Sequence, residues 1–214
     1  MKVMVFAAHA DDEVLGVGGT IARHDAARDE VVVVITGDCR SARVDLVPSL
    51  PIEAQHAAAI LGHGVRFLGF RAMTLADGPE LLLTQRIEAL LREARPDVVY
   101  THHPADPNTD HRAVARSVMV ATRPIGPDAP NRILCFETPS ATDWYWGGGF
   151  VPNVFVDITN TLDRKLAAMA CYETELRPPP HPRGIEALRT RAAYWGQVAG
   201  CMYAEPFVLA REVV

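Results

Sequence analysis

The sequence predicts an α/β fold in three layers, with a mostly parallel central sheet and a C-terminal strand and helix extension. Three observations carry this. Short β-branched runs alternate with longer segments of helical period through the first 138 residues. One run, EVVVVIT, is continuously apolar, as a strand buried on both faces is. The connections between runs suit helical crossovers, which make successive strands parallel.

In order, KVMVFAA (2–8) reads as a strand and VLGVGGTIARHDAAR (14–28) as a helix. EVVVVIT (30–36) is the second strand, and PIEAQHAAAILG (51–62) a helix with Pro at its start and Gly at its stop. VRFLGF (65–70) and the amphipathic PELLLTQRIEALLREA (79–94) follow. PDVVYTHH (96–103), the helix 108–123 and RILCFET (132–138) complete the repeating part. A Trp/Gly loop (142–150) then leads to NVFVDIT (153–159) and a helix from about 161 to 174. RPPPHPR (177–183) cannot be helical and is expected to be an extended bridge before a helix near 184–199 and a strand at 203–211. The expectation is one Rossmann-like domain over 1–214, without repeats or low-complexity tracts.

Composition narrows the function classes. A chain of 214 residues builds one substantial core, and 49% hydrophobic with 22% charged residues is ordinary globular composition. A net charge of −5 offers no broad basic field, so neither nucleic acid nor an anionic membrane is an expected partner. Cys39, Cys135, Cys171 and Cys201 are dispersed, with no CxxC pair, and read as reduced thiols. The first apolar run stops at His9, which argues against a signal peptide, and none approaches the roughly 18–20 residues of a membrane span. A cytoplasmic protein is expected.

Two polar clusters stand out. His9, Asp11, Asp12 and Glu13 follow the first strand, and THHPADPNTDHR (101–112) follows the fourth. Both leave the sheet at its carboxyl edge, where open α/β sheets bind ligands. A catalytic metal site needs three His or carboxylate ligands and an open position, with a nearby carboxylate to take a proton from water. In H-x-D-D one carboxylate can ligate while its neighbour faces water, and a histidine of the later cluster can complete the set. Helix capping competes: Asp11 or Asp12 could cap the first helix, and Asn108 or Asp110 the later one. Capping explains one acid in each cluster, not the set. Gly16, Gly18 and Gly19 do not make GxGxxG and follow acids that would repel a pyrophosphate.

These residues resemble a known family. AHADDEVLGVGGTIARH is similar to the opening motif of the PIG-L/LmbE-like deacetylases, usually AHPDDE before a glycine-rich helix start, and THHPADPNTDHRAVARSVMVATRP to their second motif. The likeness continues through FVPNVFVDITNTLDRKLAAMACYETEL and HPRGIEALRTRAAYWGQVAGCMYAEPFVLAR. It implies a hydrolase that removes acetyl groups from N-acetylated sugars and related amines, with one divalent metal per chain, generally zinc. His9, Asp12 and His111 match the metal ligands and Asp11 the general base. Asp110 matches a carboxylate that supports a catalytic histidine, and Arg43 an arginine that contacts substrate; a surface arginine is the alternative.

The chain departs from the pattern in places. Ala10 replaces a proline, and Arg71-Ala72 stands where relatives carry Pro-Asp to hold a sugar hydroxyl. Asn108 occupies the position of a catalytic histidine and is a candidate neutral donor to the oxyanion. His102 or His103 could supply the missing proton donor, or simply end a strand in a satisfied hydrogen bond; His103 is also a candidate substrate-binding residue. Trp144, Tyr145 and Trp146 read as a stacking surface for a sugar or as a contact in a homo-oligomer. His181 and Arg183 could reach the pocket mouth or lie in an exposed bridge. Tyr203 and Glu205 are assigned to the last strand, and His24, His56 and His63 to no catalytic part. The expected substrate is a small N-acylated amine, an amino sugar first. A non-sugar acylated amine (an antibiotic or cofactor precursor) and a non-catalytic sugar-binding protein of the same fold are the rivals.

Overall fold

The structure, a computed structural model of the chain, describes all residues except 40–48, 73, 76, 77, 79, 127, 128 and 145–148. Among the described residues the chain forms seven strands and six α-helices. They are β1 (Lys2–Ala7), α1 (Asp12–Ala26), β2 (Glu30–Gly37), α2 (Leu50–Leu61), β3 (Gly64–Phe70), α3 (Glu80–Ala94), β4 (Val98–His102), α4 (Thr109–Ala121), β5 (Arg132–Phe136), β6 (Val154–Asp157), α5 (Leu162–Ala170), α6 (Ile185–Ala199) and β7 (Ala204–Glu212). The strands share one sheet in the order β3-β2-β1-β4-β5-β7-β6. The five strands from β3 to β5 are parallel, while β7 runs antiparallel to both β5 and β6.

Alternation along β1 divides the core. Val3 and Val5 face one apolar layer with α1, α2, α5 and α6; Met4 and Phe6 face the other with α3 and α4. Successive strand side chains point to opposite faces, so a strand covered on both sides must be apolar throughout. The mixed, mostly parallel sheet between two helical layers is the three-layer α/β fold expected.

Strand order reverses between β1 and β4, which pair from Val3↔Val98 to Val5↔Tyr100. At such a switch point the following loops diverge to opposite faces and leave a crevice at the carboxyl edge. His9 leaves β1 there, and His103 follows β4.

Glycines in α1 permit close packing rather than phosphate binding. A Cβ at Gly16 would lie 2.3 Å from Phe136 Cδ2, and one at Gly19 would meet Ile158 at 2.8 Å. The middle of α1 is also tied to the C-terminal extension. Glu205 accepts from Gly19 N–H (2.8 Å), Thr20 N–H (2.7 Å) and Thr20 Oγ1 (2.6 Å). Lys165 Nζ pairs with Glu205 at 2.6 Å and donates to the Leu15 carbonyl at 2.9 Å. Glu205, assigned from sequence to the last strand, thus reaches from β7 to the first helix.

RPPPHPR differs from the expected extended bridge. The chain turns after a cis Pro179–Pro180 bond, and turn hydrogen bonds run from His181 N–H to Pro178 O and from Gly184 N–H to His181 O. Proline's fixed φ admits a turn as readily as an extended chain. This strap connects α5 to α6.

Candidate metal centre and catalytic base

Helix α1 begins at Asp12, two residues before the apolar pattern, so Asp12 and Glu13 occupy its first turn. Carboxylates are favoured there by the helix dipole. Asp11 is the N-cap residue by position, yet its side chain makes no capping hydrogen bond and its backbone is left-handed, with φ 113°. Such a conformation costs an L-residue on the order of 1–3 kcal/mol and persists where its surroundings fix it. Here Glu13 Oε2 accepts the Asp11 N–H at 3.1 Å, while Glu13 Oε1 accepts from Tyr172 OH. Burial pushes the Glu13 carboxyl up to about 7 against these hydrogen bonds. Glu13 is therefore part of the frame that shapes the loop, a role not assigned to it from sequence.

The other cluster arrives on α4. Asn108 is its N-cap, with Oδ1 accepting from Asp110 N–H (2.9 Å) and His111 N–H (3.4 Å). That is the capping alternative for this position, and it seats both following residues in the first turn.

His9, Asp12 and His111 then converge. Each offers one ligand atom, and the three atoms lie within 4.8 Å of one another. His9 Nδ1 is 3.3 Å and His111 Nε2 is 3.4 Å from Asp12 Oδ2. The far nitrogens face other carboxylates: His9 Nε2 lies 3.0 Å from Asp110 Oδ2, and His111 Nδ1 lies 3.1 Å from Asp106 Oδ1. A carboxylate behind a ligand imidazole fixes its orientation and raises its basicity. Asp110 thus sits behind His9, with its other oxygen accepting Leu75 N–H at 3.1 Å. Asp106, unassigned from sequence, also accepts from Thr142 Oγ1 at 2.7 Å. Its signal lies in PADPN, where Asp106 accepts the Asn108 N–H at 2.9 Å and sets a turn ahead of the cap.

The residues fit a cation. Asp12 Oδ1 is buried and lacks a hydrogen-bond partner among the described residues, as do both nitrogens of His111. Buried polar atoms left without hydrogen bonds are costly unless something binds them. A nitrogen and carboxylate donor set suits zinc and its first-row neighbours.

Electrostatics agree with a site built for positive charge. Burial would raise Asp12, but His111 and His102 beside it, and His9 close by, hold it well below the usual carboxylate range. Burial would lower His9, yet Asp110 and Asp12 raise it to about 10. His111 is likewise raised, against burial, by Asp12 and Asp106. Asp11 moves the other way from Asp12. Burial drives it well above the usual range, with Arg183 opposing and Asp12 adding to the rise.

His102 takes the structural reading. Its Nε2 accepts Ala8 N–H at 2.9 Å, so the proton sits on Nδ1, which lies 3.1 Å from Thr138 Oγ1. Burial, and His111 beside it, lower it to about 3. His103 is half-buried, its N–H donating to Phe136 O at 3.1 Å and its ring meeting Phe150 edge-on. Trp144 is exposed and edge-on to His181, with ring centroids 5.7 Å apart. Arg183 reaches inward, its Nη1 lying 3.0 Å from Asp11 Oδ2. Ala72 N–H donates to Asp38 Oδ1 at 3.0 Å, joining the loops after β3 and β2. Arg43, Tyr145 and Trp146 lie outside the described residues.

A His/Asp cluster at the switch point of an α/β sheet, with a carboxylate beside it, has the parts for metal-assisted hydrolysis. Residues 4–122, more than half the chain, match the family described as PIG-L: GlcNAc-PI de-N-acetylase. The chain belongs to that family. It is 28% identical over 220 residues to the diacetylchitobiose deacetylase of Thermococcus kodakarensis, covering 95% of this chain and 81% of that protein. It is 34% identical over 181 residues to an uncharacterized deacetylase of Escherichia coli, covering 80% and 90% respectively. The crystal structure of a conserved protein from Thermus thermophilus superposes with a TM-score of 0.81 and 29% identity, covering 99% of this chain and 96% of that one. No helix among the described residues is long and apolar enough to cross a membrane.

Proposed function

We propose that this protein hydrolyses an N-acyl amide, removing an acetyl group from an amino sugar or sugar-like amine, with one divalent cation, zinc by donor chemistry, held by His9, Asp12 and His111. The observation that carries this is the buried Asp12 carboxylate, one residue from Asp11, whose Oδ2 lies 3.3 Å from His9 Nδ1 and 3.4 Å from His111 Nε2 and whose Oδ1 has no hydrogen-bond partner among the described residues. When bound, the cation polarises the acyl carbonyl and makes water a stronger nucleophile. Asp11 accepts the proton of the attacking water; its Oδ2 is buried and has no hydrogen-bond donor among the described residues. Asp11 then returns that proton to the departing amine, so no second acid is required where Asn108 replaces a histidine. The Asn108 amide nitrogen is the candidate neutral donor to the developing oxyanion. Asp110 and Asp106 hold the imidazoles of His9 and His111 in register. Arg43 and His103 are the proposed substrate contacts.

A single domain over 1–214 and a cytoplasmic location belong to the same reading. A second substrate class, a non-sugar acylated amine, is favoured by one feature: Ala72 brings no carboxylate to the end of β3. The test is release of free amine by metal-loaded protein across N-acetyl sugars and other acylated amines, with metal analysis of protein purified without chelator. Amine release from amino sugars supports the first class, and release confined to non-sugar amides the second. Tight sugar binding without release would replace both with a binding protein.

A further inference from the structure

Three segments far apart in sequence meet at the Arg183 guanidinium. Its Nη1 lies 3.0 Å from Asp11 Oδ2 and 2.8 Å from Glu175 Oε2, and its Nε donates to Ser140 Oγ at 2.8 Å. The backbone beneath is fixed as well. Arg183 N–H donates to His181 Nδ1 at 3.1 Å, and the next residue, Gly184, is the N-cap of α6. Glu175 and Ser140 thus hold the fork from the strap and from the loop after β5, and little rotamer freedom remains.

Asp11 Oδ2 receives no hydrogen bond from this arginine despite the 3.0 Å approach. The contact is charge against charge, with the N–H directed elsewhere. A carboxylate that accepts a proton needs an anchored position and an open lone pair. An arginine donating squarely to Oδ2 would occupy that lone pair with a strong hydrogen bond. This geometry supplies the anchor and spares the lone pair.

We propose that Arg183 is a positioning residue for Asp11: a cation fixed by the C-terminal strap that holds the base in place without occupying its Oδ2 with a hydrogen bond. The proposal rests on the hydrolase reading for its kinetic test. It extends that reading beyond residues 4–122, since the strap lies outside the stretch matched to the family.

The experiment compares Arg183→Ala and Arg183→Lys with the parent chain, all zinc-loaded and checked for metal content. Misplacing a reacting group by about 1 Å costs about 100-fold, so Arg183→Ala is expected to lose about that much kcat. KM and metal content stay near parent values, Arg183→Lys recovers part of the loss, and added guanidinium ion restores part of the activity of Arg183→Ala. Parent-like kcat in Arg183→Ala, or a loss that neither lysine nor guanidinium recovers, overturns the proposal. Hydrogen exchange gives a readout independent of turnover: Arg183→Ala should speed exchange at residues 9–13 in the zinc-loaded chain. Parent-like exchange there also overturns it. If the parent releases no amine from any substrate, the hydrolase reading fails and Arg183 is judged on exchange alone.

Discussion

His102 and His111 stack face to face, with ring centroids 4.0 Å apart and planes 13° from parallel. One is a candidate metal ligand; the other, locked by Ala8 N–H and near Thr138 Oγ1, packs beneath it. The stack sets the height of the His111 ring above β4, so the last residue of a buried strand fixes the first turn of the next helix.

Replacing His102 by Phe keeps a ring under His111 but removes the acceptor for Ala8 N–H. An unsatisfied buried donor costs about 1–3 kcal/mol, to be read by urea denaturation. The pH dependence changes too. His102 is lowered to about 3 in the folded chain, so on acidification from its ordinary value of 6.5 the unfolded chain takes up a proton that the folded chain refuses. Its contribution is intact above 6.5 and is lost as pH falls toward 3. Glu13, raised to about 7, acts oppositely over part of that range, so the readout is the difference between variant and parent. His102→Phe is expected to lose less stability than the parent between pH 6.5 and 4.

Asp106 and Asp110 each stand behind one candidate ligand histidine. Removing either carboxylate as Ala is expected to weaken zinc binding about 10- to 100-fold, measured by chelator competition. Unchanged affinity in both variants would contradict the role given to these carboxylates.

Asp11→Asn tests the base without disturbing the backbone, because Asn tolerates a positive φ better than most residues. The variant is expected to keep its metal and lose about 100- to 10,000-fold in turnover, by amine-release kinetics. Full activity in a metal-loaded Asp11→Asn protein would remove Asp11 from the mechanism.

The Lys165–Glu205 pair is buried, at 5% and 1% exposure, and each partner also serves the backbone of α1. Lys165→Met leaves a buried carboxylate unpaired and is expected to cost about 3–5 kcal/mol by denaturation. Lys165→Met with Glu205→Gln should cost less than the sum of the two single changes.

The repeating strands and helices were legible because their periods are local: EVVVVIT can only be a strand covered twice, and PELLLTQRIEALLREA shows one apolar face. That the two clusters meet was legible because both abut strand ends at one sheet edge, whereas the particular set of His9, Asp12 and His111 came from the resemblance to the PIG-L/LmbE-like motifs. Asp106 was hidden among short polar residues that also build a turn, and its partner is chosen by side-chain direction. The turn in RPPPHPR was hidden because proline forbids helix without choosing between its other conformations. Glu205 was read as part of its strand, since nothing local reveals that its carboxylate crosses to Gly19, 186 positions away.

That span has a consequence for how the molecule comes together. Helix α1, which carries Asp12, receives polar partners from Lys165 and Glu205, 150 and 186 positions further along the chain. Contacts of such separation close large loops and form late. During synthesis the HADDE segment is made early, yet the Glu205 carboxylate that accepts from Gly19 and Thr20 arrives with β7, the last strand. Metal capture at the proposed site is therefore expected late in folding, and a chain severed after α4 would carry His9, Asp12 and His111 without Lys165 and Glu205.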